Sequence, residues 1–205
     1  MIDRRTFIAG AAAATAALFL PRPAAAAPIS LNAISNYLNR MQTAESPFTQ
    51  LNADGSISTG TLYIQRPGRM RFDYDPPEET LVMAGGGQVA IFDARSNSRT
   101  PEQYPLAQTP LNLILERNVD LARRNMVVAH RQEGPKTIVV AQDPQRPEIG
   151  RLELVFTDNP VELRQWVVVD DTGSRTTTVL GDLKTGGSYP ASLFSIRGEI
   201  NARSR

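Results

Sequence analysis

Residues 60–83 read GTLYIQRPGRMRFDYDPPEETLVM, and the fold turns on how this stretch divides. Two short alternating runs meet at Arg66-Pro67-Gly68, a second break falls at Asp75-Pro76-Pro77, and a third apolar run follows. Turn residues between alternating runs predict a meander of antiparallel strands. Side chains alternate along a strand with period two, so Leu62, Ile64 and Arg66 share one face of the first strand. Met70, Phe72 and Tyr74 share one face of the second. An apolar face that ends in an arginine is either filled by the protein's own core or kept for something else, and the functional reading depends on which.

Toward the N-terminus, Asn52-Ala53-Asp54-Gly55 is a hairpin signal between a strand at residues 48–51 and the return strand from Ser56. Ser46-Pro47 reads as the end of the connection before it. Ser30 can cap a helix in which Leu31, Ile34, Leu38 and Met41 recur at helical spacing, with Asn32, Asn36, Asn39 and Arg40 on the other side. An amphipathic helix of about three turns needs a sheet to lie on.

Toward the C-terminus, Ala84-Gly85-Gly86-Gly87 turns into a strand at residues 88–93. A strand and not a helix follows these glycines, so they make a turn and not a phosphate-binding loop. Leu81 and Ile91 are placed on the same apolar wall as Leu62, Ile64, Met70 and Phe72. Residues 94–108 are polar and rich in Ser, Arg and Pro, which predicts a long loop. Thr109-Pro110 opens a short helix, with threonine as cap, proline at the first helical position, and Leu111, Leu113, Ile114 and Leu115 making it strongly apolar. So short a helix must press its leucines onto something, and the loops beside it leave it free to move.

Further strands are predicted at residues 126–131, 137–142, 151–156, 162–170, 175–183 and 193–196, divided by turn signals such as Gly134-Pro135 and Asp171-Thr172-Gly173. The total is about eleven strands in up-and-down order, with no alternation of strand and helix. The expected fold is mainly β with α: an incomplete, half-open antiparallel β-barrel, with amphipathic helices as a lid over an apolar cavity.

Residues 1–26 carry Arg4-Arg5-Thr6-Phe7-Ile8, a short apolar run and a small-residue end, the pattern of a secretory signal cut after Ala26. The paired arginines resemble a twin-arginine export signal, although a general secretory signal can carry them too. Its removal takes away three arginines and one aspartate, turning a formal charge of +1 into −1. A near-neutral protein has no long-range pull on nucleic acid or acidic lipid. Residues 27–205 suffice for one domain with its own core. The chain has no cysteine, which excludes disulfides, thiolate catalysis and lipid attachment behind the signal. A protein free in the periplasm of a Gram-negative bacterium is expected.

Catalytic signals are absent. The lone His130 has no serine or carboxylate at a motif spacing, and Glu78-Glu79 and Asp170-Asp171 fall at strand ends, where alternation splays neighbours apart. No zinc, calcium, phosphate-loop or nucleophile-elbow pattern occurs. No catalytic residue, metal or cofactor is therefore expected.

The order of elements resembles the periplasmic outer-membrane lipoprotein carrier family (LolA-like). The resemblance rests on Phe48-Thr49-Gln50, on residues 60–74, on Leu81-Val82, residues 89–93 and Thr109-Pro110-Leu111, and on residues 166–173 with Trp166. Two departures are Gly85-Gly86-Gly87, where the family often has Asp-Gly, and a short tail after Phe194 that implies the absence of some tail contacts. The resemblance implies a monomeric carrier that takes triacylated lipoproteins from an inner-membrane lipoprotein-releasing transporter to an outer-membrane receptor. Leu62, Ile64, Met70, Phe72, Leu81 and Ile91 would line its acyl-chain cavity. Leu31, Ile34, Leu38 and Met41 of one helix and Leu111, Ile114 and Leu115 of the other would form the lid. Arg66 matches the family's lid-locking arginine, whose guanidinium would bond lid carbonyls in the empty form. Read from the residues alone, the parity of Leu62, Ile64 and Arg66 favours the latch over the alternative of an ordinary surface arginine at a strand end, and the alternative for Met70 and Phe72 is that they fill a closed core. A lipid-binding or envelope-sensing relative on the same half-barrel, and an exported enzyme, are the alternatives.

Overall fold

A computed structural model describes residues 27–93, 100–122 and 125–204. The signal segment at residues 1–26 and residues 94–99 of the expected loop lie outside the described residues. Ser30 caps α1 (Leu31–Arg40), its Oγ accepting from the Ala33 N–H at 3.2 Å. β1 (Thr43–Leu51) and β2 (Ile57–Gln65) form the expected hairpin, and Gly55 takes φ +84° at its turn, a conformation that glycine adopts without a Cβ clash. β3 (Arg69–Tyr74), β4 (Leu81–Gly85), β5 (Gln88–Phe92) and β6 (Glu102–Pro105) continue the meander into α2 (Asn112–Leu115), a single turn. A second meander follows: β7 (Val127–Glu133), β8 (Lys136–Gln142), β9 (Arg151–Thr157), β10 (Glu162–Val169) and β11 (Arg175–Leu180). The short β12 (Lys184–Thr185) and α3 (Ile196–Arg203) complete the described chain.

The strands form one antiparallel sheet in the order β6-β5-β4-β3-β2-β1-β11-β10-β9-β8-β7, with β12 also paired to β1. The β1–β11 pairing joins the two meanders, while β6 and β7 end the path unpaired with each other, so the barrel stays open. Phe72 on β3 and Trp166 on β10 lie four strand steps apart, roughly 19 Å along a flat sheet. Their ring centroids are 6.1 Å apart. The sheet therefore rolls its inner face in on itself, as the half-open barrel requires.

Four local expectations are corrected. β6 lies within the expected loop; none of its residues is buried, so it left no apolar period to read, and backbone pairing to the edge of β5 holds it in place. The expected strand at residues 193–196 is a short 3₁₀ turn (Ala191–Phe194) leading into α3, where the Ser195 Oγ accepts from the Gly198 N–H at 3.1 Å. β1 begins at Thr43 and runs through Ser46-Pro47 instead of starting after them. At α2, Leu111 and not Thr109 occupies the N-cap, and the Thr109 Oγ1 donates to the Leu106 carbonyl at 2.9 Å.

The inner face carries the main core. Leu62, Ile64, Met70 and Phe72 from the first meander meet Leu152, Leu154, Phe156 and Trp166 from the second, with α1 and α2 laid across them. The outer face is covered over β4 and β5 by α3, whose Ile196 and Ile200 pack on Leu81, Met83, Ala90 and Phe92. Leu81 is thus on the opposite face from the apolar wall where it was expected. Its neighbour Val82 stands opposite Phe72 and takes the inner position, and strand alternation sends Leu81 outward. The tail is tied to this face: the Arg71 guanidinium donates to the Leu193 carbonyl at 3.2 Å and pairs with Glu199 at 3.3 Å.

Candidate functional site

An α-helix leaves its last four carbonyls without partners inside the helix. In α1 these belong to Tyr37, Leu38, Asn39 and Arg40. The Met41 N–H takes the first, while the Gln42 side chain and the Gln42 N–H take the last two. The Leu38 carbonyl is left, and the Arg66 guanidinium donates to it from Nη1. From Nη2 the same guanidinium donates to the carbonyl of Glu116, the C-cap residue of α2, and to the Asn39 Oδ1 at 3.3 Å. One planar cation thereby caps two helix C-termini at once, where the helix dipoles favour positive charge.

Backbone bonds fix Arg66 in this place. Its N–H donates to the Gln42 carbonyl at 2.7 Å, just beyond the end of the β1–β2 ladder, and the Gly68 N–H donates to the Leu115 carbonyl at 2.8 Å. Only 6% of Arg66 is exposed, and its Nε has no partner. Burial pulls its pKa below the usual arginine value, with the Glu116 charge acting the other way. Leaving a buried donor unpaired is a cost that the two capped carbonyls must offset.

Further bonds run from α1 to the segment after α2. The Asn39 carboxamide donates to the Val119 carbonyl and accepts from the Val119 N–H. One turn back along α1, the Ser35 Oγ accepts from the Leu121 N–H at 3.0 Å and donates to the Leu31 carbonyl at 2.8 Å. Residues 116–121 are thus zipped along α1. Asn39 was expected on the outward side of that helix; it faces this segment instead, and Ser35 was not singled out at all. Their i, i+4 spacing beside Ile34 and Leu38 was the available signal.

Ile34, Leu38, Met41, Ile114 and Leu115 are buried in the inner core, and Leu31 and Leu111 pack on it half-buried. Leu62, Ile64, Met70 and Phe72 lie beneath them, each no more than 5% exposed. Ile91 stands opposite Val82, half-buried near the β5–β6 edge. Beneath α2, Met70, Phe72, Val82, Val89, Leu111 and Leu115 enclose a gap of about 10 Å³, room for one water. His130 serves the scaffold, with its Nε2 2.9 Å from the Ile29 carbonyl. Asp170 is a turn residue, its carboxylate accepting from the N–H groups of Thr172 and Ser174 at 2.9 Å.

Comparison with known proteins follows the same outline. A family model described as outer membrane lipoprotein carrier protein LolA matches residues 39–197. An outer-membrane lipoprotein carrier protein of Azotobacter vinelandii is 27% identical over 191 residues, covering 89% of this chain and 91% of that one. One from Legionella pneumophila (strain Corby) is 27% identical over 175 residues, covering 82% of this chain and 85% of that one. Among solved structures, a LolA superfamily protein from Nitrosomonas europaea covers 82% of this chain and 98% of its own at 9% identity, with a TM-score of 0.44.

Proposed function

The chain belongs to the outer membrane lipoprotein carrier (LolA) family, and from that membership we infer that it is a periplasmic chaperone that holds the acyl chains of lipoproteins against its inner face and ferries them toward the outer membrane. Its cargo is triacylated lipoprotein, its donor an inner-membrane lipoprotein-releasing transporter and its acceptor an outer-membrane receptor. Each buried methylene is worth about 0.8 kcal/mol, so acyl chains do not cross water unescorted. A carrier must also let go, which favours a cavity without directional bonds to the chains.

The observation that carries this reading is the Arg66 cap on both helices over an apolar face. In the shut form the gap is about 10 Å³, against roughly 300 Å³ or more for small-molecule sites. Acyl chains therefore enter only by displacing lid side chains. α2 suits that exchange: it is one turn long, its leucines make non-directional contacts that methylenes can replace, and Arg66 and Gly68 tether its C-terminal end. Cargo and latch compete for the same lid, and the competition makes loading reversible.

Transfer of a labelled lipoprotein from spheroplasts to the purified protein tests the reading. Release of lipoprotein into a soluble complex with the protein is expected; lipoprotein that stays on the spheroplasts at every protein concentration would sink it.

A further inference from the structure

α2 stands between two unlike spaces. On one side Leu111 and Leu115 close the apolar gap over the first meander. On the other, Asn112, Leu113 and Glu116 border an open cleft of about 400 Å³ whose far wall is the β8–β9 connection. Leu113 and Ile149 give that cleft an apolar floor, while Asn112, Gln142, Gln145 and Arg146 give it a polar rim. The rim is held ready. The Gln142 Nε2 donates to the Pro147 carbonyl at 3.1 Å, and Arg146 and Asp143 neutralise each other at 2.9 Å. Asn112 and Gln145 add two carboxamides, so the cleft offers neutral donors and acceptors beside the Asp143–Arg146 pair and the Glu116 carboxylate.

We propose that this cleft is the subsite for the polar linkage and first peptide units of the cargo, lying beside the acyl cavity and divided from it only by α2. The proposal rests on the carrier reading above. A single helical turn is about 10 Å thick with its side chains, so a modest shift of α2 joins the two spaces into one trough, apolar at one end and amide-lined at the other. An acylated peptide terminus has the same two-part chemistry: hydrocarbon tails, then uncharged esters and amides that need hydrogen-bond partners once they leave water. Glu116 links the two parts, because its residue borders the cleft while its carbonyl receives the Arg66 latch.

The test compares two probes, a synthetic tripalmitoyl-cysteinyl peptide and palmitate, on the full mature chain. Gln145→Trp fills the cleft from an exposed loop position, and Asn112→Ala removes one carboxamide. Lipopeptide affinity is expected to fall about tenfold in Gln145→Trp and roughly threefold in Asn112→Ala, the scale of one or two neutral hydrogen bonds. Palmitate affinity should stay within about twofold of wild type in both, since the apolar gap is untouched. Equal weakening of both probes, or no change in either, overturns the subsite and leaves the carrier reading standing. A wild-type chain that binds neither probe overturns both.

Discussion

The Asn39 carboxamide pairs with the Val119 peptide at both ends, Nδ2 donating to its carbonyl at 2.8 Å and Oδ1 accepting from its N–H at 2.9 Å. The same Oδ1 receives the Arg66 Nη2 at 3.3 Å, so one side chain joins α1, the segment after α2 and the Arg66 guanidinium. Asn39→Ala strips both partners from a peptide whose residue is 3% exposed. A loss of about 2 kcal/mol is expected, with the Val119 amide exchanging hydrogen much faster while core strand amides keep their protection. Val119 protection equal to wild type would show that Asn39 does not hold the segment.

Arg66→Leu separates closure from global stability. It removes both caps but also removes a buried cation with an unpaired Nε. Losing the buried cation recovers its desolvation cost, which offsets part of the cost of the two carbonyls left uncapped, so the unfolding free energy should move by less than about 2 kcal/mol. The shut form, however, loses what favours it over the loaded form, and cargo affinity should rise roughly tenfold for every 1.4 kcal/mol of latch removed. Arg66→Lys should behave alike, since one ammonium cannot reach two carbonyls as a planar fork does. Wild-type rates of lipoprotein hand-over in both variants, with unchanged exchange at the lid, would dismiss the latch.

Gly60 sits in mid-strand, where glycine is normally unfavourable. A Cβ there would lie 2.1 Å from the Asp73 carbonyl oxygen and 2.8 Å from the Phe48 ring. That ring makes edge contacts with Phe72 and Tyr74 at 5.2 and 5.1 Å, so it has nowhere to retreat. Gly60→Ala should cost about 3 kcal/mol in urea unfolding. A cost below about 0.5 kcal/mol would mean the β2–β3 pairing yields more easily than its geometry suggests.

The meander was legible because glycine and proline punctuate it: Asp54-Gly55, Arg66-Pro67-Gly68 and Asp75-Pro76-Pro77 each fall at a strand end. Strand parity likewise placed Arg66 with Leu62 and Ile64 on the inner face. Parity failed at Leu81-Val82-Met83, where three apolar residues in a row leave both phases open until the neighbouring strand decides. α3 was illegible for another reason: Ile196 and Ile200 are its only large apolar residues and Gly198 weakens it, so its helicity depends on the sheet it covers. Asn39 looked like a solvent-facing polar residue, and Ser35 gave no signal, because their partners, at Val119 and Leu121, are backbone groups more than 75 residues away.

Glu153 on the outer face should make stability acid-sensitive. Arg175 bonds its two carboxylate oxygens at 3.1 and 3.0 Å, and Arg151 adds a contact at 3.7 Å. The Arg175 hydrogen bonds hold the carboxyl below its usual value of 4.5. A carboxyl with a lower pKa when folded contributes its stability above the unfolded value and loses it as pH falls through the folded one. Arg175 is half-exposed, so screening keeps the effect under about 1 kcal/mol. Glu153→Gln should thus be slightly less stable than wild type at pH 7, and the two should converge below pH 4.5. Parallel stability curves down to pH 3 would rule the pair out as a source of acid sensitivity.

The outer face predicts a division of labour between tail and lid. Ile196 and Ile200 stand one helical turn apart on α3 and press on Leu81, Met83, Ala90 and Phe92, while the Arg203 guanidinium lies 4.9 Å from the centre of the Phe92 ring. Arg71 anchors the approach, bonded at once to Asp73, to the Leu193 carbonyl and to Glu199. All these contacts lie across the sheet from Met70, Phe72 and the lid. Ile200→Ser should therefore lower stability by about 1 kcal/mol, and deletion of residues 196–205 should expose the four-residue apolar patch and promote self-association. Lipopeptide affinity per folded molecule should not change in either case, because the strand that carries Arg71 outward carries Met70 and Phe72 inward. A fall in affinity that tracks loss of α3, with the fold intact, would show instead that the two faces of β3 and β4 are coupled.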